Sequence, residues 1–291
     1  MDQAEQLRRI IQQNKYAVIK DSPPNRHAKT VAVISGKGGV GKSNFVLNFA
    51  LNLIKKRNDR VLLVDCDIGM ANIDLLLGQQ YQERSIVDLL KNRIGIEQII
   101  KKGPLNLQYL SGGMSLSNIV TIDEAEFQFF LYELERIIEK YDTILFDMGA
   151  GISKDSLKFL LAVDEIIVIT TPEPTSIMDA YSAIKLIHQF DQEKVMKVVV
   201  NRCKKNIEAK ETWEKIRTTA ERFLHKTIDL LGSLPEDDHV QKSVMEQIPF
   251  ILRFPNAPIS KALENITEMY LNGKIKRKGF IHSLRSLFSS R

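Results

Sequence analysis

Only two of the 291 residues are cysteine, Cys66 and Cys203, and no CxxC spacing joins them. That argues against a disulfide framework, a thiolate zinc site or a cysteine-bound iron–sulfur cluster, and it fits a reducing compartment. Long apolar runs are missing too: Ile166 to Ile169 is far too short to cross a bilayer. The opening stretch, Met1 to Asn14, is polar and charged, unlike a secretory leader. The histidines, His27, His188, His225, His239 and His282, have neither H-x₃-H nor H-E-x-x-H spacing, so they are expected on the surface or in packing. There is no internal repeat and no low-complexity tract.

Acidic residues are absent from the last eighteen positions, which hold Lys274, Lys276, Arg277, Lys278, Arg285 and Arg291. The whole chain carries +5, so the remainder is almost neutral. The basic charge therefore belongs to the tail. A body without excess positive charge argues against DNA as a partner. Otherwise 44% hydrophobic and 26% charged residues are ordinary globular values, and the length suffices for one large α/β core.

What is present centres on Gly36-Lys-Gly-Gly-Val-Gly-Lys-Ser43. A β-type run, Thr30 to Ile34, precedes it and a helix-like run, Asn44 to Lys56, follows. Strand, glycine loop and helix form the context in which G-x-x-x-x-G-K-[ST] cradles phosphates. Gly36, Gly38, Gly39 and Gly41 let backbone N–H groups close around an anion, and the helix N-terminus adds partial positive charge. Lys42 would pair the β- and γ-phosphates, and Ser43 would hold Mg²⁺. Val40 and Asn44 complete the loop.

Around this loop apolar runs alternate with helical patterns. Strands are expected at Val61–Val64, Leu107–Leu110, Thr143–Phe146, Glu165–Thr170, Val195–Val200 and Ile228–Ser233. Helices are expected at Ile86–Asn92, Ile96–Ile100, from Asp123 to Lys140, and at Lys154–Ala162, Ser176–Phe190, Ile207–His225, near Val240 and at Pro258–Leu271. Trp213, Ile216, Ala220, Phe223 and Leu224 recur at helical spacing and are expected in the core. The pattern predicts a doubly wound, mostly parallel sheet flanked by helices, with ligands at the carboxyl ends of the strands. Three segments follow: 1–28, a short helix with Ala4, Leu7, Ile10 and Ile11 on one face and a Pro23-Pro24 linker; 29–272, the α/β domain; and 273–291, the basic tail.

The second lysine, Lys37, gives K-G-G-V-G-K-S, which resembles the deviant Walker A loop of the MinD/ParA family of ATPases. The resemblance covers about residues 29 to 272. It implies that Lys37 reaches across a nucleotide-sandwiched homodimer to the partner's phosphates, as an arginine finger does. Asp65-Cys-Asp67-Ile-Gly-Met-Ala-Asn72-Ile-Asp74 is similar to the family's switch I. There Asp67 would orient the attacking water and Asp65 support the Mg²⁺ shell. Asp147-Met-Gly-Ala-Gly151 resembles the Walker B and switch II element, with Gly149 where the family usually has proline. Asp147 would reach Mg²⁺ through water and Gly151 would donate its N–H to the γ-phosphate. Asn201-Arg202 and Pro235-Glu236-Asp237 match the family's base pocket; Pro172-Glu173 and Asp179 match a segment near the dimer interface. No guanine-type N-K-x-D element occurs, so ATP is expected rather than GTP.

The two ends narrow the resemblance. D-Q-A-x-x-L-R at Asp2 to Arg8 looks like the N-terminal motif of FlhG-type flagellar-number regulators, which implies activation of the GTPase FlhF through Gln3. Flagellar switch or C-ring proteins are further partners of that group. In the tail, Phe280, Ile281, Leu284, Leu287 and Phe288 fall within one 120° arc beside the basic run. This resembles the C-terminal targeting helix of MinD-like proteins and implies reversible binding to an anionic membrane surface at the cytoplasmic face. Two other readings are weighed against this ATP-driven regulator: a ParA-like DNA-segregation ATPase, and a non-catalytic membrane scaffold.

Overall fold

The computed structural model describes residues 28–67, 72–80, 84–113, 124–273 and 280–289. The expected N-terminal helix with Gln3, its diproline linker, the cap Asp123 and the centre of the D-x-D-x-G-x-x-N-x-D stretch lie outside the described residues.

Eight strands form one sheet in the order β3-β4-β2-β5-β1-β6-β7-β8. They are β1 (Lys29–Ser35), β2 (Val61–Asp65), β3 (Lys101–Lys102), β4 (Gln108–Leu110), β5 (Thr143–Asp147), β6 (Glu165–Thr170), β7 (Val195–Cys203) and β8 (Asp229–Pro235). All neighbours are parallel except the β3–β4 pair at one edge. Helices follow in chain order: α1 (Lys42–Arg57), α2 (Ile73–Leu76), α3 (Ile86–Asn92), α4 (Glu124–Ile138), α5 (Lys154–Ala162), α6 (Pro174–Phe190), α7 (Asn206–Leu224), α8 (Asp238–Glu246), α9 (Phe250–Arg253), α10 (Pro258–Asn272) and α11 (Phe280–Ser289).

The strand period of two divides the core. Val31 and Val33 of β1, with Leu63, Leu145 and Ile167 from its neighbours, face α1, α9 and α10. Ala32 and Ile34, with Val64, Phe146 and Val168, face α3 to α7 and α11. Strands covered on both faces must be apolar throughout, which is why β2, β5 and β6 have no exposed position. Each fully buried aliphatic or aromatic side chain contributes about 1.5–3 kcal/mol.

Two expectations need correction. The short helix expected at Ile96 to Ile100 is only one 3₁₀ turn, Ile96–Gln98, leading into the edge strand β3, and Glu133 of α4 accepts the Ile96 N–H at 2.8 Å. Phe223 is not core but 63% exposed, because Ile216 and Ala220 already face the sheet and the last turn of α7 turns its ring to solvent. The tail helix is docked on the α/β domain. Phe280, Ile281 and Leu284 are buried in the core between α4 and α5. The Phe280 ring stacks on Phe146 and meets Phe159 edge-on, both at 5.2 Å between centroids. Arg285 closes the helix onto Glu135 of α4 at 2.6 Å. The side chains of Leu287 and Phe288 lie outside the described set.

At the opposite end from the glycine loop, Glu165 is fully buried between Lys29 at 3.3 Å and Lys197 at 2.7 Å. The Lys29 ammonium also sits 3.7 Å over the Tyr270 ring. Burial pulls the Lys29 pKa down to about 8, with Glu165 opposing the shift. A lysine titrating lower when folded binds fewer protons than its unfolded counterpart between pH 8 and about 10.5, so this group makes stability rise with pH across that window. Lys29→Met is expected to remove a rise on the order of 1–2 kcal/mol between pH 7.5 and 9.5, read by urea unfolding at the two values. An unchanged slope in the variant would place the effect elsewhere.

Candidate nucleotide site

The expected nucleotide-site residues among the described ones fall at the carboxyl ends of β1, β2, β5, β7 and the edge strand β8. The loop leaves β1 at Ser35 and enters α1 at Lys42. Gly39 and Gly41 have φ of 76° and 92°, the left-handed region where a Cβ is penalised. Gly36 is required for a different reason. A Cβ there would lie 2.3 Å from the Asp179 carbonyl carbon, so the backbone of α6 runs directly against the loop. The first turn of α1 has neither a side-chain cap nor an acid, leaving its N–H groups for an anion.

The electrostatic centre is an ion pair. Lys42 Nζ, 8% exposed, donates to Asp147 Oδ1 at 2.5 Å, and Asp147 is fully buried. The second oxygen, Oδ2, is buried with no hydrogen-bond partner. Burial raises the Asp147 pKa although Lys42 opposes it. An orphaned, dehydrated carboxylate oxygen beside Ser43 fits a hard divalent cation, whose remaining positions water and phosphate would fill.

Asp65 is the register partner of Asp147 on β2. Burial, and then the Asp147 charge, push its pKa up to about 7. Its carboxylate is taken by backbone donors: Asp67 N–H on Oδ1 at 3.1 Å, and Asn72 and Ile73 N–H on Oδ2 at 3.0 and 3.3 Å. Asp65 therefore ties switch I to the sheet. Asp67 is half-buried and faces the next loop, where a Cβ on Gly149 would lie 3.6 Å from Asp67 Oδ1. Glycine in place of proline leaves that approach open. The Gly151 N–H, expected on the γ-phosphate, donates to the Ser35 carbonyl at 3.4 Å.

Several partnerships have no signature in linear spacing. Lys37 pairs within its own chain with Glu173 at 3.3 Å, both side chains exposed. Asn201 donates from Nδ2 to the Val40 carbonyl at 2.7 Å and accepts the Arg202 N–H on Oδ1 at 2.9 Å. Arg202, with φ of 58°, donates to the Gly39 carbonyl at 2.8 Å. The end of β7 thus clamps the loop from outside, and the Asn201 amide keeps one N–H and one oxygen lone pair beyond these two bonds. Pro235 ends β8, and the exposed Glu236 sits 3.9 Å from Lys204. Asp237 caps α8, accepting the His239 N–H at 3.0 Å and the Ile259 N–H at 3.1 Å. These last three shape the rim of the site. Asp74, the end of the switch I pattern, accepts from Lys101, Tyr109 and Ser111 at 2.9, 2.8 and 2.6 Å and anchors α2 to the sheet edge.

Gly36→Ala is expected to displace either the loop or α6. Overpacking of this kind costs about 1–3 kcal/mol, and ATP binding measured by calorimetry should weaken by about 5- to 150-fold while the circular dichroism spectrum is retained. Parental affinity would show that the close approach to Asp179 has no bearing on the nucleotide.

The ParA family model, described as NUBPL iron-transfer P-loop NTPase, matches residues 26–271. Among curated proteins, the chain is similar to the antiactivator FleN of Pseudomonas aeruginosa, 29% identical over 82% of this chain and 85% of that one. It is likewise similar to the flagellum site-determining protein YlxH of Helicobacter pylori, 29% identical over 84% of this chain and 83% of that one. Among solved structures, the MinC:MinD cell division protein complex of Aquifex aeolicus matches at 28% identity and TM-score 0.68, covering 87% of this chain and 100% of that one. The glycine loop, the strand-end carboxylates and the match across nearly all of the α/β core lead to one conclusion: the chain belongs to the ParA family of P-loop NTPases.

Proposed function

We propose that the protein is an Mg²⁺-dependent ATPase whose ATP-bound homodimer regulates flagellum number or placement. The observation that carries the catalytic part is the buried Lys42–Asp147 pair with its orphaned Oδ2, at the mouth of a glycine loop. The similarity to FleN and YlxH supports the flagellar role.

Bound Mg²⁺, held by Ser43 and by Asp147 through water with Asp65 behind it, would neutralise charge on the β- and γ-phosphates. Lys42 exchanges Asp147 for phosphate oxygens, one buried anion for another. Asp67, on the half-buried face of switch I, orients the attacking water. Lys37 leaves Glu173 and enters the partner's site, placing a cation where charge develops in phosphoryl transfer. Gly36 to Asn44 wrap the phosphates. Arg202 and the Pro235-Glu236-Asp237 rim border the adenine, and Asn201 holds the loop in register. Gly151 turns its N–H from Ser35 to the γ-phosphate as switch II closes.

The tail works as the output. The face of α11 that enters a membrane is the one buried in the core, so docking and membrane binding exclude each other. Phe280, Ile281 and Leu284 gain about 1.5–3 kcal/mol each on full burial in either place, so other terms decide between them. The basic run adds about 1 kcal/mol per cation near an anionic surface, and two tails on one dimer gain through effective concentration. The N-terminal segment activates FlhF through Gln3, and flagellar switch or C-ring proteins are the downstream partners. A non-catalytic scaffold would have no use for Lys37 and Asp67, and a DNA-segregation ATPase would carry its positive charge on the body.

Asp67→Ala and Lys37→Ala are expected to retain ATP binding yet lose turnover, with Lys37→Ala also failing to dimerise in size-exclusion runs with a non-hydrolysable analogue. Lys42→Ala should lose binding itself. Turnover at the parental rate in Lys37→Ala would remove the cross-dimer role. Full-length protein should sediment with anionic liposomes in ATP and less so in high salt. A chain ending at Gly273 that still sediments would remove the membrane role from the tail.

A further inference from the structure

A cavity of about 200 Å³ opens at the β3–β4 edge of the sheet, lined by Gln79, Gln80, Arg84, Lys101, Lys102 and Tyr109. No acidic side chain is among its described lining residues. The carboxylate behind it, Asp74, is occupied: Lys101 donates to both its oxygens at 3.0 and 2.9 Å, and Tyr109 and Ser111 add hydroxyl bonds. With one of the three cations neutralised by Asp74, two positive charges are left among the described lining residues. Arg84 and Lys102 are exposed, so their charges are not drawn into the fold, whereas the Lys101 side chain is 8% exposed and held in place.

We infer that this edge cavity is a second anion site that takes a phosphoryl group and is coupled to switch I through Lys101 and Asp74. A phosphomonoester carries about 1.5–2 negative charges at neutral pH, which matches the two exposed cations of the described lining, Arg84 and Lys102, whereas a single carboxylate would leave one unmatched. The guanidinium of Arg84 offers a fork to two oxygens, the lysines act as point charges, and the glutamine amides supply neutral donors. The coupling follows from shared donors. A phosphoryl group that draws on Lys101 competes with Asp74 for the same ammonium. Asp74 lies on α2, whose first N–H, that of Ile73, closes on Asp65 together with the Asn72 N–H; Asp65 is the register partner of Asp147. Occupancy of the edge cavity therefore changes how firmly switch I is held, and nucleotide binding changes the edge affinity by the same factor. The coupling rests on the ATP-switch reading; the binding does not.

The full chain saturated with Mg²⁺ and a non-hydrolysable ATP analogue, so that the glycine loop is filled, is titrated with inorganic phosphate and separately with glycerol phosphate in a calorimeter. One saturable site is expected for either ligand. The paired exposed substitutions Arg84→Glu and Lys102→Glu should weaken it by about tenfold or more, while Lys210→Glu with Lys261→Glu, an equal charge change on other exposed helix positions, should not. Tighter binding of the ester identifies an organic phosphate as the ligand; equal binding identifies phosphate itself, and both support the site. Absence of saturable binding in the parent, or equal loss in the control pair, overturns it. Phosphate should also shift the parent's affinity for the analogue, and Asp74→Asn should abolish the shift while keeping phosphate bound; a shift that survives overturns the coupling. Affinity of the Arg84/Lys102 variant for the analogue without phosphate, expected to equal the parent's, keeps failure of the edge site distinct from failure of the ATPase reading.

Discussion

A lysine and an aspartate, Lys42 and Asp147, are withdrawn from water at the centre of the sheet, and neither is tolerable there alone. Removing one member of such a pair costs about 3–5 kcal/mol, because the other is left as an uncompensated buried charge. The pair therefore fixes the distance between the start of α1 and the end of β5, and with it the mouth of the glycine loop. It also predisposes the site to exchange. A phosphate brings a new anion for Lys42, and a divalent cation a new partner for Asp147, so both charges stay compensated when they separate. Oδ2 is buried without a hydrogen-bond partner, so Lys42 and the neighbouring Ser43 together leave the aspartate incompletely satisfied.

The groups around the pair set how freely it moves. Asp65 carries a like charge in the adjacent register position, and burial holds its pKa near 7, so the two carboxylates resist being ionised together. Three backbone N–H groups offset this by holding Asp65 in place, and they make the conformation of switch I a direct function of that carboxylate. On the outer side, Asn201 and Arg202 hold the Val40 and Gly39 carbonyls, so the loop is shaped before any phosphate arrives. Preorganisation of this kind reduces the ordering cost of binding.

The mostly parallel, doubly wound sheet follows from the alternation of apolar runs with helical patterns, and α3, α5 and β6 lie where their periodicity places them, whereas the strand order has no such signal. The phosphate loop was legible because glycine, lysine and serine are each required at a fixed offset. Other features were not. Strand β3 has two residues and no periodicity, and α9 has four, so neither exceeds the noise of local propensity. Phe223 fits the apolar stripe of α7 but sits where the helix has outrun its cover. The clamps on the loop come from residues more than 160 positions away, and the Asp74 anchor from a strand edge with no signature of its own. An asparagine at the end of an apolar strand suggests a base contact by analogy, but its bonds to Val40 and Arg202 are invisible in the spacing. What linear spacing carries is local geometry; what it omits is which distant donor satisfies a given acceptor.

The strand that supplies Asp147 also supplies the seat of the tail. Successive strand residues point to opposite faces, so Phe146 lies under α11 while Asp147 meets Lys42 on the side of α1. Phe146 stacks on Phe280, and Phe159, the other ring against Phe280, belongs to α5, the helix that follows the switch II loop. Asp147 cannot shift without moving the neighbouring ring, nor can the loop from Asp147 to Gly151 close without bearing on the start of α5. Close-packed aromatic contacts respond to such shifts in steps, because a gap of 0.5–1 Å forfeits about a quarter to a half of the dispersion energy. Asp147, which pairs with Lys42, and Phe146, which seats the amphipathic tail, are thus consecutive residues of one strand, facing the two layers that the sheet separates.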